Sequence, residues 1–299
     1  MSCFAPITAW YSKQKGKTGR RQIVFSLSAA CYPSPLRLPC GKCIGCRQDK
    51  ARLWAMRVIH ESKMHANNCF LTLTYDDKKL PKNGSLVKRD LQLFLKRLRK
   101  SLEPRKVRFY ACAEYGSKTS RPHYHVLIFG WSPDIRTRVS RPHNQSGNVL
   151  YNSVQVSSCW PLGHSLCGDL SHASALYVAN YATKKFVGTP DEIKTYYGDR
   201  QPEFALMSRR PGLGSTYVKK YASELVTHDT VIYNSKEMRF PRYYDLQMIA
   251  QSIVGVDHFE KLKSRRSRYK FFKENLPDRR RTREKYAELT HNTFKKENL

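Results

Sequence analysis

His123 and His125 lie two residues apart in Arg121-Pro122-His123-Tyr124-His125-Val126-Leu127-Ile128-Phe129-Gly130. On a β-strand, residues two apart point to one face. The two imidazoles would then stand side by side while Tyr124 turns away. Such a pair can hold a divalent metal ion. Glu114 closes the preceding apolar run and could add a carboxylate if the two runs form a hairpin through Tyr115 to Pro122. Two nitrogens and one oxygen leave positions open for phosphate oxygens and water. An isolated His-x-His is more often an ordinary strand with two half-exposed histidines. A two-histidine, one-carboxylate iron site is a further reading. A cupin places a glutamate shortly after its pair, where this chain has Phe129.

The second group is Tyr177-Val178-Ala179-Asn180-Tyr181-Ala182-Thr183-Lys184-Lys185. Residues four apart on a helix share a face, with Cβ atoms about 6 Å apart. Lys184 follows three positions after Tyr181 on that side, and Lys185 is next to it. A phenol with a pKa of about 10 is a poor nucleophile at neutral pH. A neighbouring ammonium favours the phenolate, and a metal ion would polarise a phosphate and orient it for attack. Aromatic pairs one turn apart more often pack a core, and lysines near a helix C-terminus more often answer its dipole.

These residues need strands and helices to bring them together. Phe70 to Tyr75 is rich in β-branched and aromatic residues and reads as a strand. Pro81-Lys82-Asn83-Gly84 reads as a turn. Leu91, Leu93, Phe94, Leu95 and Leu98 then form a helical stripe among basic residues. Val107 to Glu114 and His123 to Phe129 read as two further strands. A long irregular insertion follows, then a helix over Ser174 to Phe186. This order predicts an α+β fold, an antiparallel sheet backed by helices on one face. Composition divides the chain into residues 1–68, with clustered cysteines and a helical pattern, 69–187, with the candidates above, and 188–299, polar and then strongly basic.

Phe70 to Tyr75, Pro122-His123-Tyr124-His125 and Tyr177-x-x-x-Tyr181-x-x-Lys184 resemble, in order, the motifs of HUH endonucleases that initiate replication. The two-tyrosine form resembles the initiators of microviruses. Pro39-Cys40-Gly41-Lys42-Cys43-Ile44-Gly45-Cys46-Arg47 and Met207-Ser208-Arg209-Arg210-Pro211-Gly212-Leu213-Gly214 are similar to the gokushovirus type. The resemblance runs through about residue 220. It implies a ferredoxin- or RRM-like core in which His123 and His125, with Glu114, bind Mg²⁺ or Mn²⁺. It implies that Tyr177 and Tyr181 alternate as nucleophiles in rolling-circle replication. One attacks a single-stranded DNA origin, forming a 5′-phosphotyrosine and freeing a 3′-hydroxyl; the other closes the displaced strand. Lys184 is the expected charge partner. Arg47, Arg121, Lys185, Arg209 and Arg210 are expected to meet the DNA.

Cys40-x-x-Cys43-x-x-Cys46 offers three thiolates at close spacing. They could bind a structural Zn²⁺ with a fourth ligand from elsewhere, Cys3 first and Cys31 second. A glycine-rich turn with incidental cysteines is the bland reading. Nine cysteines in a chain of this length do not make a secreted disulfide framework. Ile23 to Ala30, before Cys31, imitates a signal peptide but is too short and too polar. No apolar run reaches the length of a membrane span, so a cytoplasmic protein is expected, in a bacterial host if a phage encodes it.

The formal charge is +30, from 54 Lys+Arg against 24 Asp+Glu, which points to a polyanionic partner. Arg47 to Arg57, bearing Trp54, reads as a basic helix that could track phosphates or pack Leu53 and Trp54 inward. Arg265-Arg266-Ser267-Arg268, with Tyr269, Phe271 and Phe272, and Arg279-Arg280-Arg281 could add salt-sensitive DNA binding, or form a solvated tail. Gly16-Lys17-Thr18 lacks the upstream glycine of a phosphate loop, so the expected partners include a host helicase and a DNA polymerase. The competing reading is a non-catalytic basic packaging or regulatory protein with a structural zinc. Basic charge supports both; the ordered histidine and tyrosine motifs favour the enzyme.

Overall fold

The computed structural model describes residues 3–16, 19, 21–116, 119–139, 149–181, 186, 188–254 and 275–296, with the side chains of 181 and 291–296 left aside. The chain forms two compact units, Met1–Asp49 with Phe259–Leu299, and Lys50–His258. These bounds follow different lines from the divisions at residues 68 and 187.

In the first unit, β1 (Ile7–Lys15) lies between β2 (Arg21–Val24) and β3 (Leu36–Leu38), antiparallel to both. Helix α1 (Ile44–Ser62) starts here and continues into the second unit. A C-terminal helix spans Pro277–Lys296 and carries Arg279, Arg280 and Arg281 in its first turns. The basic and aromatic cluster at 265–272 lies outside the described residues.

The second unit is built on one antiparallel seven-stranded sheet. Its chain order is β4 (Asn68–Tyr75), α2 (Lys88–Ser101), β5 (Arg108–Tyr115), β6 (Pro122–Phe129), β7 (Thr137–Arg138), β8 (Tyr151–Asn152), α3 (Val154–Cys159), β9 (Gly163–Asp169) and α4 (His172–Tyr181). Then come α5 (Pro190–Tyr197), β10 (Phe204–Met207), α6 (Ser215–Lys220), α7 (Ala222–His228), the hairpin β11 (Val231–Tyr233) and β12 (Lys236–Met238), and α8 (Arg242–Ala250). Across the sheet the order is β10-β5-β6-β4-β9-β8-β7.

The fold is the expected α+β class, with two differences. Helices cover both faces rather than one. Leu71, Leu73, Tyr75, Ala111, Ala113, Tyr124, Val126 and Ile128 pack with Leu91, Phe94, Leu95 and Leu98 of α2 and with Val156 and Cys159. Phe70, Tyr110, Cys112, Leu127 and Phe129 point the other way and pack with Val58 of α1 and with Ala175 and Val178 of α4. The physical cause is in the strands: β5 and β6 are apolar almost throughout, and both faces are buried. The second difference is the insertion, which is not irregular. Its β9 pairs with the whole of β4, from Cys69↔Asp169 to Tyr75↔Gly163. Glycines at both ends of Gly163-His164-Ser165-Leu166-Cys167-Gly168 weaken its strand signal.

Helix α2 presents Leu91, Phe94, Leu95 and Leu98 on one stripe, all buried. Each contributes roughly 2 kcal/mol. Its start is tied to the sheet by phenols. Tyr75 Oη donates to Asp90 Oδ2 (2.7 Å) and lies 2.8 Å from Tyr124 Oη. The Val87 N–H donates to Tyr124 Oη (2.8 Å). Burial pushes the Tyr124 phenol up to about 12, so it stays a neutral hydrogen-bonding group.

On the opposite face, fully buried Glu61 of α1 is the polar anchor. Its Oε1 pairs with Arg108 Nε at 2.6 Å and with His65 Nε2 at 3.2 Å, and its Oε2 accepts from the Gly214 N–H at 2.7 Å. Burial opposes its ionisation, but His65, the Gly214 N–H and Arg108 outweigh it and hold the carboxyl below the usual range. The native carboxyl therefore ionises more readily than in the unfolded chain. Its stabilisation is complete above the unfolded pKa and is lost as pH falls through the native one. Glu61→Ala should cost about 3–5 kcal/mol, because Arg108 is left with an unpaired buried charge. Urea unfolding at pH 7 measures this, and a loss under about 1 kcal/mol would contradict it.

Candidate active site

The strand register builds the site. Across β5 and β6, Glu114 pairs with His123 and Cys112 with His125. Across β6 and β4, His123 pairs with Thr74 and His125 with Thr72. Glu114, His123, His125 and Thr72 therefore share one face, as the hairpin reading expected. Tyr124 points to the α2 side. His125 and Glu114 are buried. His125 Nε2 lies 2.9 Å from Glu114 Oε1, and its Nδ1 lies 3.2 Å from Thr72 Oγ1. Thr72 was not among the sequence candidates; its alternation with Phe70 and Thr74 places it on this face.

His123 is held differently. Its Nδ1 donates to the Arg121 carbonyl at 2.6 Å. The ring lies against Gly116, where a Cβ would come within 3.2 Å of it. Burial holds its pKa below the usual histidine value. With Nδ1–H fixed on a carbonyl, Nε2 carries the lone pair. His123 does not converge on Glu114 and His125 to within 4.8 Å; among the described residues only a group of cysteines does so.

Tyr177 sits over this face from α4. Its ring is 5.2 Å from that of His125 and 6.3 Å from that of Phe70, edge-on to both. It is also 43% exposed, so it meets solvent as well as the histidine. Tyr181 ends α4 one turn later. Its side chain, Lys184 and Lys185 lie outside the described residues, and so does most of the predicted helix beyond 181.

Three cysteines predicted to cluster do so, and the fourth is Cys3. The sulfurs of Cys3, Cys40, Cys43 and Cys46 all lie within 4.8 Å of one another. The Cys40 N–H donates to Cys3 Sγ (3.2 Å) and the Cys43 N–H to Cys40 Sγ (3.3 Å). Cys31, the second choice, is outside the group, its N–H bonded to the Tyr11 carbonyl.

Residues 68–186 match the family model of the replication-associated protein ORF2. Replication-associated protein VP4 of Bdellovibrio phage phiMH2K is 34% identical over 255 residues, 82% of this chain and 76% of that protein. The chain belongs to this family of phage replication-associated proteins. Replication-associated protein ORF2 of Spiroplasma virus 4 is 33% identical over 224 residues, 71% of this chain and 67% of that one. Replication-associated protein ORF4 of Chlamydia phage 1 is 29% identical over 213 residues, 69% of this chain and 52% of that protein. No solved structure gives a significant match. The matched span opens on the first residue of β4 and passes the end of α4, so it contains every histidine and tyrosine of the site. No described helix is long and apolar enough to cross a membrane.

The predicted DNA-contacting arginines differ in what else they do. Arg47, Arg209 and Arg210 are exposed. Arg121 is committed locally, paired with Asp77 and donating from Nη2 to the Tyr75 carbonyl (2.7 Å). The loop carrying Arg209 and Arg210 is fastened through its main chain. Arg108 Nη2 donates to the Pro211 carbonyl (2.7 Å), Arg57 Nε to the Leu213 carbonyl (3.0 Å), and the Gly214 N–H to Glu61. Gly214 has φ +81°, and a Cβ there would stand 2.6 Å from Tyr244 Oη. Arg57 itself lies between the rings of Trp54 (4.3 Å) and Tyr243 (3.8 Å), so the middle of the basic helix serves packing.

The cysteine geometry has a chemical consequence. Burial works against a Cys40 thiolate, but the N–H groups of Cys43 and Lys42 and the neighbouring thiols of Cys43 and Cys3 outweigh it and hold Cys40 at about 7. Burial pushes Cys3 and Cys46 up. In metal-free protein, iodoacetamide should label Cys40 ahead of Cys3 and Cys46, with a half-maximal rate near pH 7. Mass spectrometry of timed samples reads this; labelling of Cys46 first would contradict the arrangement.

Proposed function

We propose that this chain is a metal-dependent nickase that cuts and rejoins single-stranded DNA at an origin, starting rolling-circle replication through a 5′-phosphotyrosine. The observation that carries this reading is Tyr177 standing edge-on to His125, whose ring is held by Glu114 and Thr72. A nucleophile, a basic ring and a carboxylate on one face suit phosphoryl transfer to tyrosine better than core packing does. Tyr177 would be largely buried if it only filled space, and it is not.

The donors suit Mg²⁺ or Mn²⁺, held by His123, His125 and Glu114. The Nε2 lone pair of His123 is available, and its depressed pKa keeps it neutral. The Thr72 hydroxyl can donate to or accept from His125 Nδ1. His125 can thus exchange its Glu114 hydrogen bond for a metal bond without losing its second partner. When bound, the ion would polarise the scissile phosphate. Tyr177 attacks phosphorus and keeps the 5′ end covalently, and Tyr181 performs the second transfer from the next turn of α4. Lys184 favours the phenolate, and Lys185, Arg47, Arg121, Arg209 and Arg210 draw the DNA backbone to the site. Extension of the freed 3′-hydroxyl would fall to the host's helicase and polymerase, in its cytoplasm.

We also infer a structural Zn²⁺ at Cys3, Cys40, Cys43 and Cys46. Four sulfurs within 4.8 Å suit a closed tetrahedral site. Protein purified without chelator should carry a single Zn²⁺ by elemental analysis. Cys43→Ser should release it and lower Tm, and a metal-free, equally stable wild type would refute the site.

The catalytic test uses Mn²⁺ and a 3′-labelled origin oligonucleotide on a denaturing gel, with the labelled segment on the 3′ side of the nick. A metal-dependent label that comigrates with boiled protein is expected. His125→Ala should lose it about 100-fold or more while keeping DNA affinity. The Tyr177→Phe/Tyr181→Phe double variant should give no adduct; cutting that survives in it would sink the covalent mechanism. DNA binding with no adduct from wild type would favour a non-catalytic binding protein.

A further inference from the structure

The strand hidden in the insertion brings a third histidine to the active face. His164 pairs with Thr74 across β9 and β4, and Thr74 pairs with His123 across β4 and β6. Glu114, His123, Thr74 and His164 therefore form one row across four adjacent strands. Directly paired residues share a face. The neighbours of His164 in β9 face the α2 side: Cys167 is in that core, and Ser165 Oγ lies 2.9 Å from Ser157 Oγ of α3. His164 is left pointing to the tyrosine side, and it is exposed.

This placement is enforced. A Cβ on Gly163 would lie 2.3 Å from the Thr74 carbonyl oxygen and 2.3 Å from the Asp76 nitrogen. Only glycine lets β9 close on β4 here. The Asp76 N–H donates to the Leu162 carbonyl (2.9 Å), and Trp160 Nε1 donates to the Thr74 carbonyl (3.1 Å). The start of β9 is thus clamped from both sides, and the next residue is a solvent-facing imidazole. An ordinary strand end would need neither the close approach nor the histidine.

We propose that His164 is the proton donor and acceptor for the DNA 3′ oxygen, a role that rests on the nickase reading above. The backbones of His123 and His164 are two strand spacings apart, about 10 Å. A phosphodiester held on the His123 side can lie between the two rings. Tyr177 approaches from Phe70 and His125, toward the middle of the sheet. His164 stands at the strand ends, beside Gly163 and Tyr75. Nucleophile and leaving group thus have separate sides, as in-line displacement requires. Tyr177 gives its phenol proton to solvent and forms the O–P bond. The P–O3′ bond breaks with its electron pair on O3′, and O3′ takes a proton from the His164 imidazolium. On rejoining, neutral His164 takes that proton back as O3′ attacks the phosphotyrosine and the Tyr177 oxygen leaves. An imidazole changes between these forms near neutral pH. The charged groups near it are Asp77, which senses its charge and is paired with Arg121, and Lys79, bonded to the Pro161 carbonyl.

The test compares two origin oligonucleotides, one normal and one with sulfur in place of the bridging 3′ oxygen at the nick. A thiolate leaves without being protonated. On the normal strand, His164→Ala and His164→Gln should form adduct about 100-fold more slowly than wild type with unchanged DNA affinity. On the sulfur strand they should come within a few-fold of wild type. Variants as fast as wild type on the normal strand, or equally slow on both strands, would overturn the assignment while leaving the nickase intact. A wild type that forms adduct with neither strand overturns both readings.

Discussion

The antiparallel register of β5, β6 and β4 is the constraint on which everything else depends. It sets Glu114 and Cys112 against His123 and His125, and these against Thr74 and Thr72. Because side chains alternate along a strand, a slip of one residue would exchange the two faces completely. Tyr124 would then point at Tyr177 while two imidazoles entered an apolar core. That exchange is costly on both sides. Tyr124 is fully buried and would lose its hydrogen bonds, and each imidazole would be taken from water into a core of leucine and aromatic side chains. The fold holds its chemistry in place chiefly by making the alternative register expensive.

Each face adds its own lock. On the α2 side, the phenols of Tyr75 and Tyr124 join sheet to helix through Asp90 and Val87. On the α4 side, Glu61 gathers Arg108, His65 and the Gly214 N–H. Both locks are polar groups placed in apolar surroundings, where a hydrogen bond is strong and an unmade one is costly. The exposed ring of Tyr177 lies between rigid strands and solvent, where a group that must meet a large substrate has to be.

Much of this was legible in the sequence. β4, α2, β5 and β6 are strongly patterned, and the expected segments Phe70–Tyr75, Val107–Glu114 and His123–Phe129 agree with the strands to within a residue or two. The pairing of His125 with Glu114 followed from period-two alternation and a short hairpin. What stayed hidden had local reasons. β9 contains glycines at the points where it approaches another backbone, and those glycines erase the propensity that would announce a strand. Helix coverage of both faces was implicit in the near-continuous apolar runs of β5 and β6, which a one-sided sheet would not need. Cys3 is far in sequence from Cys40, so its membership of the cluster depends on chain folding that no spacing rule contains. Thr72 shows nothing by its type; only its strand partner gives it meaning.

The loop from Met207 to Gly214 is held by the carbonyls of Pro211 and Leu213 and the N–H of Gly214. An anchor made of main-chain atoms is indifferent to the side chains that ride on it. Arg209 and Arg210 can therefore be exchanged for other residues without moving the loop, provided the glycines remain. Host range and origin preference could drift among such phages by changing these few exposed positions, while the catalytic sheet stayed untouched.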